Sequence, residues 1–261
     1  MKFIIFGIGS AGSRHIANLR RLRPDAEIVR VDPVVGLGTE WIYRDWREAI
    51  HDHVAADGAI IASPTEAHAE QMTELFAFGI PFLVEKPPVD VTHTDALRGM
   101  VKVIDKFLSR PRAFAVGFCY RFSILARAME NWRTNELDFF ARDDLIARYG
   151  KTCAETMGSH GIDLACRQFG RAVSVDIESD GVSFRGRVQH ERGASHYDMR
   201  IDTGPRVSTV NGQVLEPDDG MYERELAAWL SWLDGGERDP RLAQLSDGLR
   251  VMEILGQVKN A

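Results

Sequence analysis

The sequence predicts an α/β fold: an N-terminal doubly wound parallel sheet of the Rossmann kind, then a smaller α+β domain with an open, mainly antiparallel sheet. Three observations carry this. An apolar run from Lys2 to Ile8 leads at once into Gly7-Ile8-Gly9-Ser10-Ala11-Gly12, a helical pattern to Leu22, and a second apolar run, Ala26 to Val31, ending on Asp32. As far as Phe118, apolar strands alternate with helices, as a parallel sheet covered on both faces requires. Beyond it, Val173, Val175 and Ile177, then Val182 and Phe184, then Tyr197, Met199 and Ile201 recur every second residue, the period of strands with one polar face. The boundary falls near residue 119, giving domains over 1–118 and 119–261.

The opening segment fits a phosphate-binding turn. Gly7 permits the tight turn, Gly9 lets a pyrophosphate approach the backbone, and Gly12 lets the helix pack close to the strand. The N–H groups at the helix start, around Ser10, Ala11 and Gly12, attract the anion with the helix dipole behind them. Asp32 closes the second strand, where its carboxylate can accept from both hydroxyls of an adenosine ribose. A glycine turn that merely packs a βαβ unit would not call for an acid at that spacing. Pro33, Val34 and Val35 follow Asp32 with no arginine among them. A carboxylate there repels the extra phosphate of NADP, so NAD is expected over NADP, with Arg14 best placed to soften the preference.

The remaining elements follow in order. Pro33 to Thr39 reads as a loop, and Asp45 as the N-cap of a short helix through Ile50. Gly58 to Ala62 is a buried strand ending in Ser63-Pro64-Thr65; Thr65 is placed to cap the next helix, which Gly79 closes. Ile80 to Val84 is a strand ending in Glu85-Lys86-Pro87-Pro88. Asp90 to Leu108 reads as helix and Arg112 to Phe118 as strand. Phe122 to Trp132 reads as helix, Glu136 to Lys151 is polar without a clear period, and Thr156 to Phe169 is a helix with a polar entrance. Tyr222 to Leu233 and Leu242 to Val258 are amphipathic helices around a break at Gly235 and Gly236.

Composition excludes several classes. A hydrophobic fraction of 44% and a charged fraction of 27% are ordinary for a soluble globule. A net charge of −6 argues against nucleic acid or an acidic membrane as partner. Arg14, Arg20, Arg21 and Arg23 cluster on the first helix and read as a solvated face. Cys119, Cys153 and Cys166 form no paired framework, which fits a reduced cytoplasmic setting. The apolar start is too short for a signal peptide, and no run is long enough to span a membrane. No His, Cys or Asp cluster has metal-ligand spacing, so no metal is expected.

Five motifs occur in order: the glycine turn with Arg14-His15 after it; Ser63-Pro64-Thr65 followed by His68; Glu85-Lys86-Pro87; Tyr120-Arg121-Phe122; and Ser159-His160-Gly161-Ile162-Asp163. Together they resemble the Gfo/Idh/MocA family, the glucose–fructose oxidoreductase and inositol dehydrogenase relatives, over nearly the whole chain. The resemblance implies a Rossmann domain and a second α/β domain whose open sheet makes the oligomer contact. It implies oxidation of a sugar hydroxyl, or reduction of a sugar ketone, with NAD(P). It adds Ser63, Pro64, Thr65, His68, Glu85 and Lys86 to Gly7, Gly9, Ser10, Ala11, Gly12 and Asp32 as cofactor-binding positions. His15 and His68 read equally well as packing.

Lys86 is the first catalytic candidate. Hydride transfer at a carbon bearing oxygen needs a proton moved on that oxygen, and a lysine at the end of a parallel strand points into the ligand crevice. His160 is the second, with Asp163 one helical turn on, to orient the imidazole or shape the sugar site. Arg121 is a candidate substrate contact. Where many members of the family carry an aspartate, this chain has Thr156, which can hydrogen-bond a hydroxyl but cannot be a carboxylate base. Only forty positions separate Tyr120 from His160, so a trimmed second domain is expected. The reading is an NAD-dependent enzyme acting on a sugar or nucleotide sugar, a homodimer or higher even oligomer built through an uncovered apolar face of the second sheet. Its rival is a non-catalytic NAD-binding sensor or scaffold with a decayed sugar site.

Overall fold

Apolar runs punctuated by glycine, proline and acid fold as the strands of a parallel sheet. The computed structural model describes residues 1–34, 42–107, 113–143, 152–201, 207–214 and 220–261. They form two units, residues 1–117 with 222–246 and residues 118–221 with 247–261. The loop expected over Pro33 to Thr39 lies outside the described residues after Val34, as do Leu108, Arg112 and residues 144–151.

In the first unit, β1 (Lys2–Phe6), α1 (Ser10–Leu22), β2 (Glu27–Val31), β3 (Ile42–Tyr43), α2 (Trp46–Asp52), β4 (Gly58–Ile61), α3 (Thr65–Phe78), β5 (Phe82–Glu85), α4 (Thr94–Phe107) and β6 (Ala115–Gly117) alternate along the chain. The strands pair in parallel in the order β3-β2-β1-β4-β5-β6. Phe3 to Phe6, Ala59 to Ile61 and Phe82 to Val84 are fully buried, because helices cover both faces. The chain leaves β1 for β2 on one side and resumes at β4 on the other. The loops after β1 and β4 therefore diverge at the C-terminal edge, where open α/β sheets hold ligands. Asp45 Oδ1 accepts from the Arg47 amide at 2.8 Å, capping α2 as expected, and Gly79, at φ 70°, closes α3. The expected Thr65 cap does not form. Pro64 holds the N-cap position with φ −57° and ψ 144°, so Thr65 is already the first helical residue and its side chain cannot reach back.

The second unit opens with a 3₁₀ turn, Cys119–Phe122, and α5 (Ile124–Met129), shorter than the helix expected to Trp132. The polar stretch after it is a strand, β7 (Glu136–Asp143), whose Leu137, Phe139 and Ala141 are buried. A π-helical turn, Ala154–Gly158, runs into α6 (Ser159–Phe169). Then come β8 (Ala172–Ser179), β9 (Ser183–His190), β10 (Gly193–Ile201), β11 (Val207–Val210) and β12 (Gln213–Val214). The order is β12-β11-β7-β10-β9-β8; only β7 and β10 pair in parallel among these. Helix α6 packs on β10, and a Cβ at Gly161 would stand 3.0 Å from Met199 Cε and 3.1 Å from Tyr197 Cε1. The opposite side of the sheet is not the apolar face expected. Arg185 Nε donates to Asp198 Oδ1 at 3.0 Å, and the Arg200 guanidinium lies 5.7 Å from the Phe140 ring centre. Alternation places these charged residues outward because Phe184, Tyr197, Met199 and Phe139 point in.

The chain then returns. Helix α7 (Met221–Leu233) and the edge strand β13 (Ala243–Gln244), antiparallel to β6, complete the first unit. Trp229 is fully buried: its indole donates to Ala113 O at 2.9 Å and its ring lies 6.2 Å from that of Phe3. Arg21 bonds Glu223 at 2.9 Å, Arg23 pairs with Asp234, and Arg14 sits 4.2 Å over the Tyr222 ring. The arginine-rich side of α1 is thus engaged by this segment. Helix α8 (Leu245–Leu255) and β14 (Lys259–Asn260), parallel to β8, end the chain.

A polar chain crosses the core of the second unit. His190 Nδ1 lies 3.2 Å from Gly170 O and Nε2 lies 2.9 Å from Ser195 Oγ, which is 2.8 Å from the Tyr197 hydroxyl. A carbonyl only accepts, so Nδ1 carries the proton, Nε2 accepts from Ser195, and Ser195 accepts from Tyr197. Burial lowers the His190 pKa from its ordinary value, against the opposing bond to Gly170 O. The folded protein therefore resists the proton that the unfolded chain takes up. This contribution is present above about pH 6.5, the ordinary imidazole value, and is lost as pH falls through the depressed one. Urea midpoints are expected to fall from pH 7.5 to pH 5.5, and less so in His190→Gln. Ser195→Ala should cost about 1–3 kcal/mol, because the buried Tyr197 hydroxyl loses its partner.

Candidate functional site

The turn after β1 is built by two close approaches. Gly7 has φ +79°, and a side chain there would overlap the Ala62 carbonyl and Ser63 Cα. A Cβ on Gly12 would overlap the Gly7 carbonyl oxygen. Gly9 differs from both, for a Cβ there would meet nothing within 4 Å among the described residues. No side chain caps α1 at Gly9, and no acid lies in its first turn. Asp32 Oδ2 accepts from the Ile8 amide at 2.8 Å, and Oδ1 from the Val34 amide at 2.9 Å. The acid is thereby fastened to the turn.

Two further loops end nearby strands of this sheet. After β4, Ser63 Oγ donates to Gln71 Oε1 at 2.6 Å. His68, 1% exposed, has Nε2 2.9 Å from Ser63 O and Nδ1 3.1 Å from Pro87 O. After β5, Glu85 and half-buried Lys86 precede a cis bond to Pro87. Glu85 Oε1 is 2.7 Å from His15 Nε2, and His15 is 1% exposed. Burial pushes the Glu85 carboxyl up, but the His15 bond and charge, with the Lys86 charge, hold it below its ordinary value.

In the second unit, His160 on α6 is 8% exposed and lies among aromatic rings. The Tyr120 ring centre is 4.4 Å away and the Phe118 ring meets it edge-on at 6.1 Å. Asp163, 1% exposed, receives both Arg121 Nε at 2.8 Å and Arg121 Nη2 at 2.5 Å, a bidentate pair. Arg121 Nη1 also reaches Asp247 Oδ2 at 3.3 Å, and Arg250 reaches Asp247 Oδ1 at 3.2 Å. Burial opposes the Arg121 charge, yet the two carboxylates hold it protonated, above its ordinary range. Burial likewise pushes the Asp163 carboxyl up against the Arg121 guanidinium, and pushes the Cys166 thiol up to about 12. Thr156 Oγ1 donates to Thr152 O at 3.0 Å, and Ser159 Oγ to Glu155 O at 3.0 Å. Both hydroxyls turn back onto carbonyls one turn earlier, and Thr152 O also accepts the Thr156 amide at 3.3 Å.

The first unit thus gathers Gly7, Gly9, Gly12, Asp32, Ser63, Pro64, Thr65, His68, Glu85 and Lys86 at the ends of β1, β2, β4 and β5. The second gathers Arg121, His160 and Asp163, and adds Asp247, which nothing in its local sequence signalled. His15 had a signal: a polar residue on the buried stripe that α1 shares with Gly12, Ile16 and Leu19. Among the described residues, no group of three or more His, Cys, Asp and Glu could hold a metal ion, and no helix is long and apolar enough to cross a membrane.

Residues 1–107 match the Gfo/Idh/MocA family, described as an oxidoreductase family with an NAD-binding Rossmann fold. The resemblance read from the sequence is the one this match finds. No curated protein matches the chain. Among solved structures, it is similar to the WlbA (WbpB) dehydrogenase of Thermus thermophilus in complex with NAD and UDP-GlcNAcA. The TM-score is 0.77 at 17% identity, over 98% of this chain and 94% of that one. It is also similar to a myo-inositol dehydrogenase from Corynebacterium glutamicum, at TM-score 0.72 and 19% identity, over 97% and 94%. A third is the UDP-N-acetylglucosamine 3-dehydrogenase GnnA of Acidithiobacillus ferrooxidans, at TM-score 0.77 and 15% identity, over 99% and 96%. At these identities the likeness is one of fold, and it extends through both units.

The glycines of the turn are separable by substitution. Gly12→Ala is expected to destabilise by about 3 kcal/mol or more, because the overlap is with backbone that cannot rotate away. Gly9→Ala should stay within about 1 kcal/mol of wild type. Equal losses in urea denaturation would show that Gly9 has a packing role after all.

Proposed function

We propose that this chain is an NAD-dependent oxidoreductase that transfers a hydride between nicotinamide and a hydroxyl or ketone of a sugar or nucleotide sugar. One observation carries the cofactor half: Gly9 lacks a side chain where none of the described residues demands it, between an uncapped helix start and an acid fixed at the end of β2. Two glycines of the motif are explained by packing, and the third is explained by a ligand backbone passing close. The family description of residues 1–107 supports the same reading, and sugar and inositol dehydrogenases among the similar folds support the substrate class. The bound cofactor supplies the hydride or receives it. Asp32 accepts from ribose hydroxyls, Lys86 moves the proton on the substrate oxygen, and His160 orients that oxygen. Asp163 shapes the substrate site by locking Arg121. The homodimer or higher even oligomer read from the sequence remains part of the proposal, without the apolar face that was its reason. The three cysteines, all buried thiols, suit a reducing cytoplasm.

One observation favours the rival sensor or scaffold. Thr156, standing where a carboxylate is common, gives its hydroxyl proton to a backbone carbonyl. Turnover separates the two readings. A panel of nucleotide sugars, free sugars and inositols with NAD⁺, followed by absorbance at the reduced nicotinamide band, should show reduction with at least one; a folded, NAD-binding protein inert to every member supports the scaffold.

Two further outcomes are expected. NADH should bind more tightly than NADPH by fluorescence titration, and Asp32→Asn should narrow the gap by removing the charge that repels the extra phosphate. Lys86→Ala should leave NADH affinity nearly unchanged and lower turnover by about two to four orders of magnitude, the worth of a positioned acid–base group. His160→Ala should lose less, with part of the effect in KM.

A further inference from the structure

Two loops at one end of the second unit are fastened to the same strand, with a hollow between them. The first leads from α5 into β7. In it Thr134 Oγ1 donates to Glu136 O at 2.8 Å and accepts from the Glu136 amide at 3.1 Å. The second joins β11 to β12 through Asn211 and Gly212, whose φ values are 51° and 74°, while Val210 pairs with Gln213. Positive φ at both central residues is the geometry of a tight Asn-Gly hairpin turn. Asn211 Oδ1 accepts from the Asp138 amide at 2.7 Å, and the Asn211 backbone N–H donates to Asp138 O at 2.9 Å. The hollow measures about 420 Å³, within the range of small-molecule sites, and Asn131, Trp132, Arg133 and Gln213 complete its lining.

Among the described residues, those four side chains make no hydrogen bond, ion pair or ring contact. Trp132 is half-buried and the other three are exposed. Each amide both donates and accepts, the guanidinium and the indole N–H only donate, and the indole ring adds apolar area. A pyranose matches that set. Its C–H groups suit a ring, its hydroxyls donate and accept, and its ring oxygen only accepts. An anion is disfavoured, because Glu136 and Asp138 stand exposed on β7 beside the single cation, Arg133. The hollow is also separate from the residues assigned to chemistry. Helix α6 ends at Phe169, whose carbonyl accepts from the Arg192 amide at 3.0 Å, and the Ala194 amide donates to Asn135 O at 2.9 Å, next to the first loop. His160 lies toward the other end of α6, about 14 Å from Phe169 at roughly 1.5 Å per residue.

We propose that this hollow is a carbohydrate-binding site that takes one neutral pyranose ring and does no chemistry on it. Trp132 packs on the C–H groups of the sugar, Asn131 and Gln213 bond its hydroxyls, and Arg133 donates to its oxygens. Both loops are bonded to β7 in advance, so little ordering opposes the sugar when it arrives. The inference is independent of the roles given to Lys86 and His160.

The test follows the Trp132 indole N–H of the full chain by ¹H–¹⁵N NMR, its signal identified among the five tryptophans by Trp132→Phe. The probes are methyl glucoside, methyl mannoside, methyl galactoside and N-acetylglucosamine, each added alone and without NAD. At least one should move the signal along a saturable curve, with a Kd of about 1–10 mM, ordinary for a single ring with few contacts. Arg133→Ala and Gln213→Ala, both at exposed positions, should each weaken that binding by about three- to tenfold, the worth of a hydrogen bond. Trp132→Ala should abolish it, read on the Gly212 amide; if that variant does not fold, the other two decide. His160→Ala should leave the titration unchanged. A signal unmoved by all four sugars, a shift that Arg133→Ala and Gln213→Ala leave intact, or a shift lost in His160→Ala would overturn the proposal. So would a Trp132 signal that moves with protein concentration alone, which gives the hollow to a second copy of the chain.

Discussion

Everything at the nucleotide edge of the first unit depends on two missing methyl groups. Without them at Gly7 and Gly12, β1, the start of α1 and the end of β4 meet at backbone distance. That contact brings the Ile8 amide to Asp32, so the acid at the end of one strand and the turn at the end of the next become one rigid piece. It also aims the uncapped amides of α1 over the sheet edge. A larger residue at either glycine would disturb the Ile8–Asp32 bond and the start of α1 together, because they share one anchor.

The second unit is organised by charge buried in pairs. Arg121 follows directly on the first crossing of the chain into this unit, and Asp247 on the last; Arg121 joins Asp247 to Asp163, on the helix that carries His160. A buried guanidinium with one carboxylate already satisfies much of the desolvation penalty, and the second carboxylate and Arg250 balance the remainder. The orientation of α6 is thus tied to the points where the backbone enters the unit. The polar entrance seen in the sequence is used locally, since the Thr156 and Ser159 hydroxyls turn back onto carbonyls one turn earlier.

What the sequence disclosed was local. The β1–α1–β2 segment, the Asp45 cap and the Gly79 stop were legible because their causes lie within a few residues of each other. The alternation of β8, β9 and β10 was legible for the same reason. The strand β7 was not, although Leu137, Phe139 and Ala141 alternate, because Phe140 puts an apolar residue on the otherwise polar face and breaks the period. The partners of Arg121 lie 42 and 126 positions away, and Glu85 lies 70 from His15. No spacing rule reaches that far, so a residue that reads as a substrate contact and one that reads as packing turn out to hold carboxylates. The expected apolar outer face failed for a related reason: periodicity tells that a strand has two faces, and only the register shows that Arg185, Asp198 and Arg200 line up on one of them.

The return of residues 222–246 to the first unit has a bearing on how the chain is made. On the ribosome, β1 to β6 emerge as a contiguous stretch, yet the pocket for Trp229 between Phe3, Gly58 and Ala113 stays unfilled until α7 has been synthesised, 116 residues after Ala113. The outer edge of β6 is likewise bare until Ala243–Gln244 arrive to pair with it. Until then the first unit is a nascent domain with an open hydrophobic slot and an unpaired strand, the kind of intermediate that chaperones bind. Residues 118–221 of the second unit sit, in effect, as a long insertion inside the first, and the first unit closes only after they have been made.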